Sequence, residues 1–130
     1  MYLHVYKDAT EGGTDGTQCS ESSELNAVTT SALDTSINDV SDIVELALRC
    51  DATHITFGDT VVTPNGPAGL KWQLSLDGIV WAEYGASITF TEPIAGTNVR
   101  FYARAKSIIG EAVINDLSVD LQIVCIVRAV

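Results

Sequence analysis

The chain has 130 residues, of which 46% are hydrophobic and 18% charged, enough for one domain, or one domain and an arm, that folds without metal or disulfide staples. Seven Lys and Arg stand against seventeen Asp and Glu, a formal net charge of −10, so a phosphate backbone would meet like-charge repulsion and nucleic acid is not an expected partner. No apolar run approaches the roughly 18 residues of a membrane span, and Met1 to Thr10 lacks a basic stretch followed by an apolar one, so synthesis in a cytosol and no membrane partner are expected.

In chain order, Tyr2 to Tyr6 has strand composition and predicts a short edge strand. From Asp8 to Leu48 there is no Lys or Arg, and Thr10 to Thr30 is rich in Thr, Ser and Gly, which predicts a loop or extended acidic arm. This divides the chain into residues 1–41, an edge strand and arm, and 42–130, the body. Leu33 to Val40 allows at most a helical turn.

From Asp42 the pattern has period two, the signature of half-buried strands. Val44, Leu46, Leu48 and Cys50 share one face, opposite Glu45, Ala47, Arg49 and Asp51. Ile55 to Thr63 reads as the next strand, ended by a turn at Pro64 to Pro67. Leu70, Trp72, Leu74 and Leu76 alternate with polar residues up to Asp77-Gly78. That step matches a tight hairpin turn and predicts a return strand over Ile79 to Tyr84. Ser87 to Thr91 is a short strand. Val99, Phe101, Ala103 and Ala105 then alternate with Arg100, Tyr102, Arg104 and Lys106. The last strand, Leu117 to Val130, is apolar on both faces at its far end, so Val124, Ile126 and Val130 are expected to be covered by sheet partners or by another subunit. About seven such segments without a helical stripe predict an all-β, antiparallel sandwich or barrel.

Three cysteines, at 19, 50 and 125, form no Cys-x-x-Cys pair and no zinc or redox motif. Cys50 and Cys125 fall on strand faces expected to be buried; Cys19, in a polar stretch, is expected to be an exposed thiol. In Asp34 to Glu45, oxygen-bearing residues, among them Asp34, Asn38, Asp42 and Glu45, fall at calcium-loop spacing. The loop's central Gly is replaced by Asp39 and no helices flank it. A solvated acidic loop is therefore the expected reading and a weak calcium site the alternative. His4 and His54 lie in segments without a nucleophile elbow, and the acids cluster where no apolar pocket raises a pKa, so no enzyme and no cofactor are expected. Trp81 and Tyr84 could stack on a sugar, whereas Trp72 is in phase with the core. Arg100, Arg104 and Lys106 make a solvated strand face or receive an acidic segment from a neighbour.

The stretch Lys71-Trp72-Gln73-Leu74-Ser75-Leu76-Asp77-Gly78-Ile79-Val80-Trp81 and the strand Val99-Arg100-Phe101-Tyr102-Ala103-Arg104-Ala105 resemble immunoglobulin-like or fibronectin-type sandwich domains of bacterial and phage proteins. With the Gly-Gly-Thr-Asp-Gly-Thr of residues 12–17 and the strand Leu46 to Asp51, the whole resembles small virion proteins of tailed phages. It departs from the antibody pattern in that Cys50 and Cys125 lie on strands other than those of the usual disulfide. The resemblance implies an Ig-like sandwich and a non-enzymatic structural protein made in the host cytoplasm and carried on the virion. Such a protein would form a homo-oligomer on the particle, decorate the capsid and contact the major capsid protein or other virion proteins. The alternative is a tail- or baseplate-associated, or cell-surface carbohydrate-binding, module. Val124, Ile126, Val130, Arg100 and Arg104 are the expected interface residues under the first reading, Trp81 and Tyr84 the binding residues under the second.

Overall fold

A computed structural model describes residues 2–19, 43–65, 69–106 and 120–130. The strands are β1 (Leu3–Lys7), β2 (Thr17–Gln18), β3 (Val44–Cys50), β4 (His54–Asn65), β5 (Trp72–Ser75), β6 (Ile88–Phe90), β7 (Val99–Ala105) and β8 (Asp120–Ala129). They form two antiparallel sheets, a larger one in the order β2-β1-β3-β7-β5 and a smaller one in the order β6-β4-β8. Among the described residues there is no α-helix, only a 3-10 turn at Gly69–Lys71. The fold is therefore an all-β sandwich.

The core lies where the alternating strands place it. Leu3, Val5, Leu46, Leu48, Cys50, Trp72, Leu74, Phe101, Ala103 and Ala105 of the large sheet meet Val62, Ile88, Phe90, Leu121 and Ile123 of the small one in a single buried cluster. The rings of Phe90 and Phe101 pack edge to face across the two sheets, 5.8 Å between centroids.

Several expectations need correction. β1 is not an edge strand, because β2 folds back beside it, pairing Tyr6 with Gln18 and Lys7 with Thr17. The described part of the polar arm is thus a hairpin joined to the sheet. Cys19, directly after β2, donates its N–H to the Val5 carbonyl and is 3% exposed, so its thiol is buried and not free in solvent. The return strand after Asp77-Gly78 does not form. Ser75 and Asp77 take over the backbone groups there, and the following segment is held to β5 by Ala82 N–H to Leu74 O and Gly85 N–H to Trp72 O. Leu70 and Leu76 leave the core phase and are exposed, because the regular strand is confined to Trp72–Ser75. The turn expected at Pro64 to Pro67 does not begin there: Pro64 and Asn65 continue β4, opposite Leu121 and Asp120, and residues 66–68 lie outside the described residues. The helical turn at 33–40 and the start of the last strand at 117–119 also lie outside them.

β4 carries the main irregularity. Its register against β8 shifts between Phe57↔Ile126 and Val61↔Val124, so Gly58, Asp59 and Thr60 stand against Cys125 alone. Gly58 has φ +79°, a left-handed conformation that glycine adopts without a Cβ penalty. The shift slips the pairing by two residues and so preserves sidedness: Val61 lies on the same outer face as Phe57, while Thr56, Thr60 and Val62 are buried on the inner one.

Candidate interaction surface

The outer face of the small sheet carries exposed apolar side chains on both of its long strands. Directly opposed residues of antiparallel strands share a face. Phe57 with Ile126, and Val61 with Val124, therefore build a cross-strand apolar patch. Phe57 is 57%, Val124 60% and Ile126 65% exposed, and Val130, in phase with them beyond the strand, is 86% exposed. Arg128 borders the patch with its guanidinium 5.1 Å from the centroid of the Phe57 ring. Of the residues expected to be covered, Val124, Ile126 and Val130 are thus brought together on one face and left bare by the rest of the described chain. Cys125 points the other way but is only half-buried, which corrects its expected burial. Burial still pushes its thiol pKa up, and Cys50 is pushed up to about 11 by burial and then by the nearby Cys125 thiol.

Phe57 was not singled out by sequence patterning. Alternation alone places Phe57 and Val61 on one face, and the Gly58-Asp59 step inside the strand was the signal for the bulge that shifts their partners on β8.

Arg100 and Arg104 lie on the opposite side of the sandwich, on the outer face of β7, since Phe101, Ala103 and Ala105 point inward. Both are engaged within the chain. Arg100 donates from its backbone N–H to Glu11 Oε2 (2.8 Å) and from Nη2 to the Ala9 carbonyl (3.0 Å), with Glu45 at 3.8 Å. Arg104 lies over the Trp81 ring and donates from Nε to Gln73 Oε1, while Gln73 Nε2 donates to the Ala82 carbonyl. Lys106 lies 4.0 Å from the Tyr84 centroid. Trp81 and Tyr84 therefore each have a cation on one face rather than two free ring faces. Trp81 also lines an open cleft of about 290 Å³ with Leu76, Val80 and Ile88.

Beside that cleft, the loop after β5 holds Ile79 and Val80 in solvent. Asp77 Oδ1 accepts from Ile79 N–H (2.8 Å) and Val80 N–H (2.9 Å), and these bonds hold the Asp77 carboxyl below the usual value.

A second polar cluster was missed because Gly96-Thr97-Asn98 reads only as a turn. Buried Asn98 donates from Nδ2 to Thr10 O (2.9 Å) and Asp15 Oδ1 (3.0 Å) and accepts from Arg49 Nη1 (2.9 Å). Its backbone exchanges bonds with Gly12 and Gly13. Arg49 in turn lies 3.9 Å over the Tyr6 ring, and Tyr6, Ala9 and Ala47 form a small buried cluster beneath the hairpin.

Of the possible calcium loop, Asp34, Asn38 and Asp42 lie outside the described residues, and Glu45 is exposed near Arg100. Among the described residues no three His, Cys, Asp or Glu side chains converge. In comparisons with known proteins, no family model, no curated protein and no solved structure matches the chain significantly.

Proposed function

We propose that this chain is a non-enzymatic structural protein that acts by docking and that, as its sequence resemblance implies, it decorates the outer surface of a tailed-phage capsid. The observation that carries this reading is the apolar patch of Phe57, Val124 and Ile126, with half-buried Val61 beside them, which the rest of the described chain leaves exposed on one sheet face. Covering such a patch against a lattice is favourable, at about 1.5–3 kcal/mol for each aliphatic or aromatic side chain fully buried. A rigid sheet presents it with little ordering cost on binding. The contact partner under this reading is the major capsid protein or another virion protein, met by many copies.

A carbohydrate-binding module is the second reading, favoured by the Trp81 cleft. Ile126→Asp and Trp81→Ala distinguish the two. Because Ile126 is 65% exposed, the aspartate variant keeps the fold, as circular dichroism checks. Under the decoration reading Ile126→Asp no longer co-sediments with particles, while Trp81→Ala does. Loss of polysaccharide retention by Trp81→Ala, with Ile126→Asp co-sedimenting like wild type, would overturn it in favour of the second.

A further inference from the structure

We propose that Cys50 and Cys125 are a dithiol oxidation site, which a small disulfide oxidant of the oxidised-glutathione class converts into a bond stapling the two sheets together. The inference stands on the core of the sandwich and does not rest on the particle reading.

The two thiols come from different sheets and meet in one region of the core. Cys50 closes β3 of the large sheet and is 2% exposed within the buried cluster, and half-buried Cys125 of β8 packs against that same cluster. Only Asp51, Ala52 and Thr53 separate Cys50 from β4, so the chain crosses between the sheets at this corner. The segment Ile94-Ala95 closes the corner, with Cys50 N–H donating to the Ala95 carbonyl (2.8 Å) and Thr56 N–H to the Ile94 carbonyl (2.9 Å). Buried Thr56 stands opposite Val127, and Cys125, two residues before Val127, lies on the same inner face of β8. Cys50 and Cys125 are thus inner-face residues on facing sheets beside one corner. Their electrostatics agree: after burial, the neighbouring Cys125 thiol is the next cause that raises Cys50, an effect that needs the two sulfurs close together. The third thiol is placed elsewhere. Cys19 follows β2, which β1 separates from β3, and it packs beside Val5.

Unequal burial orders the chemistry. The Cys125 thiolate, the more accessible, attacks one sulfur of oxidised glutathione; the oxidant's S–S bond breaks, a Cys125–glutathione mixed disulfide forms and one glutathione thiolate leaves. The Cys50 thiolate then attacks the Cys125 sulfur, forming the Cys50–Cys125 bond and expelling the second glutathione thiolate. The protons lost by the two cysteines end on the two glutathiones, and the two electrons reduce the oxidant. The second step is the slow one, because Cys50 is almost wholly protonated at neutral pH. More than half of the chain lies between the two cysteines, and a cross-link that closes a long loop constrains the unfolded chain most.

The test is intact mass and peptide mapping of the full chain, first reduced and then exposed to oxidised glutathione under native conditions. Wild type should lose two hydrogens, give a peptide pair joined through Cys50 and Cys125, and keep Cys19 alkylatable after denaturation. It should also melt roughly 10 °C higher than the reduced chain. Cys50→Ser should stop with one glutathione on Cys125, and Cys125→Ser should take up none while folded. The wild-type map needs neither variant, so it decides even if both unfold. Glutathione retained on Cys125, a bridge through Cys19, a disulfide-linked pair of chains, or Cys50 and Cys125 both left alkylatable overturns the site. Uptake by Cys125→Ser overturns the order of attack, and a bridged chain that melts no higher than the reduced one overturns the staple. Capsid co-sedimentation is a separate readout, so failure here leaves the decoration reading standing, and the reverse.

Discussion

The guanidinium of Arg104 lies over the indole of Trp81, 4.2 Å from its centroid, and in that position it ties β7 to the loop after β5. The same guanidinium bonds Gln73, which bonds the Ala82 carbonyl, so three segments meet at one cation. A double-mutant cycle with Arg104→Ala and Trp81→Ala should give a coupling of about 0.5–1 kcal/mol in urea unfolding, the range for a partly exposed cation–π pair. A coupling near zero would show that the contact is incidental.

Asn98 makes a sharper prediction. Its buried amide joins Thr10, Asp15 and Arg49, so Asn98→Ala strands several polar groups at once. The loss should be about 2–3 kcal/mol, with the hairpin at residues 8–16 becoming the first site of limited proteolysis. Hydrogen exchange at Gly12 N–H, which donates to the Asn98 carbonyl, checks that the hairpin itself has opened.

The pH dependence follows from Asp77. Its folded pKa lies below the ordinary 3.8, chiefly because Ile79 and Val80 N–H groups bond the carboxylate. A depressed pKa contributes stability above the unfolded value, and that contribution is lost as pH falls through 3.8 toward the folded value. Asp77→Asn keeps an acceptor oxygen but does not titrate. The melting temperature of this variant should therefore fall less steeply than that of wild type below about pH 4. Parallel curves would count against the assignment.

Thiol labelling orders the cysteines. Cys125 should react first, since it alone is half-buried, with Cys19 and Cys50 protected in the native state. Cys50, pushed up to about 11, is also almost wholly protonated at neutral pH. Rapid labelling of Cys19 would contradict its packing beside Val5.

Thr60 is fully buried, and its hydroxyl has no hydrogen-bond partner among the described residues. Thr60→Val replaces that oxygen by a methyl of similar shape and should raise stability by about 1 kcal/mol in chemical denaturation. A destabilised variant would mean that the hydroxyl is satisfied by a group outside the described residues or by bound water.

Strands with unbroken alternation were legible from sequence. Val44 to Cys50 and Val99 to Ala105 bury the faces their pattern indicates, because period two translates directly into sidedness on a sheet. The Ile55 to Thr63 segment was legible as a strand but not as a bulged one, so the union of Phe57 with Ile126 was hidden. Where side chains replace backbone pairing, local pattern misleads. Asp77-Gly78 has hairpin composition, yet Ser75 and Asp77 bind the backbone groups that a return strand would have used. Cys19 lies among polar residues, and its burial comes from a pairing with β1, set by distant chain segments that no window contains. The exposure of Val124 and Ile126 turns on which neighbours occupy the outer face, a property of the assembled sheets.

Among the described strands only β1 and β2 pair with a neighbour in chain order; β3 lies between β1 and β7, and β4 joins His54 to Ala129 and Asn65 to Asp120. Such closures require the entropy of long loops to be lost before their contacts form, which places folding in the millisecond-to-second regime rather than the microseconds of a helical bundle. During that interval β4 has neither β6 nor β8 beside it. Crowded expression therefore puts this strand at risk of pairing with the wrong molecule, and slower synthesis or lower temperature should favour the soluble product.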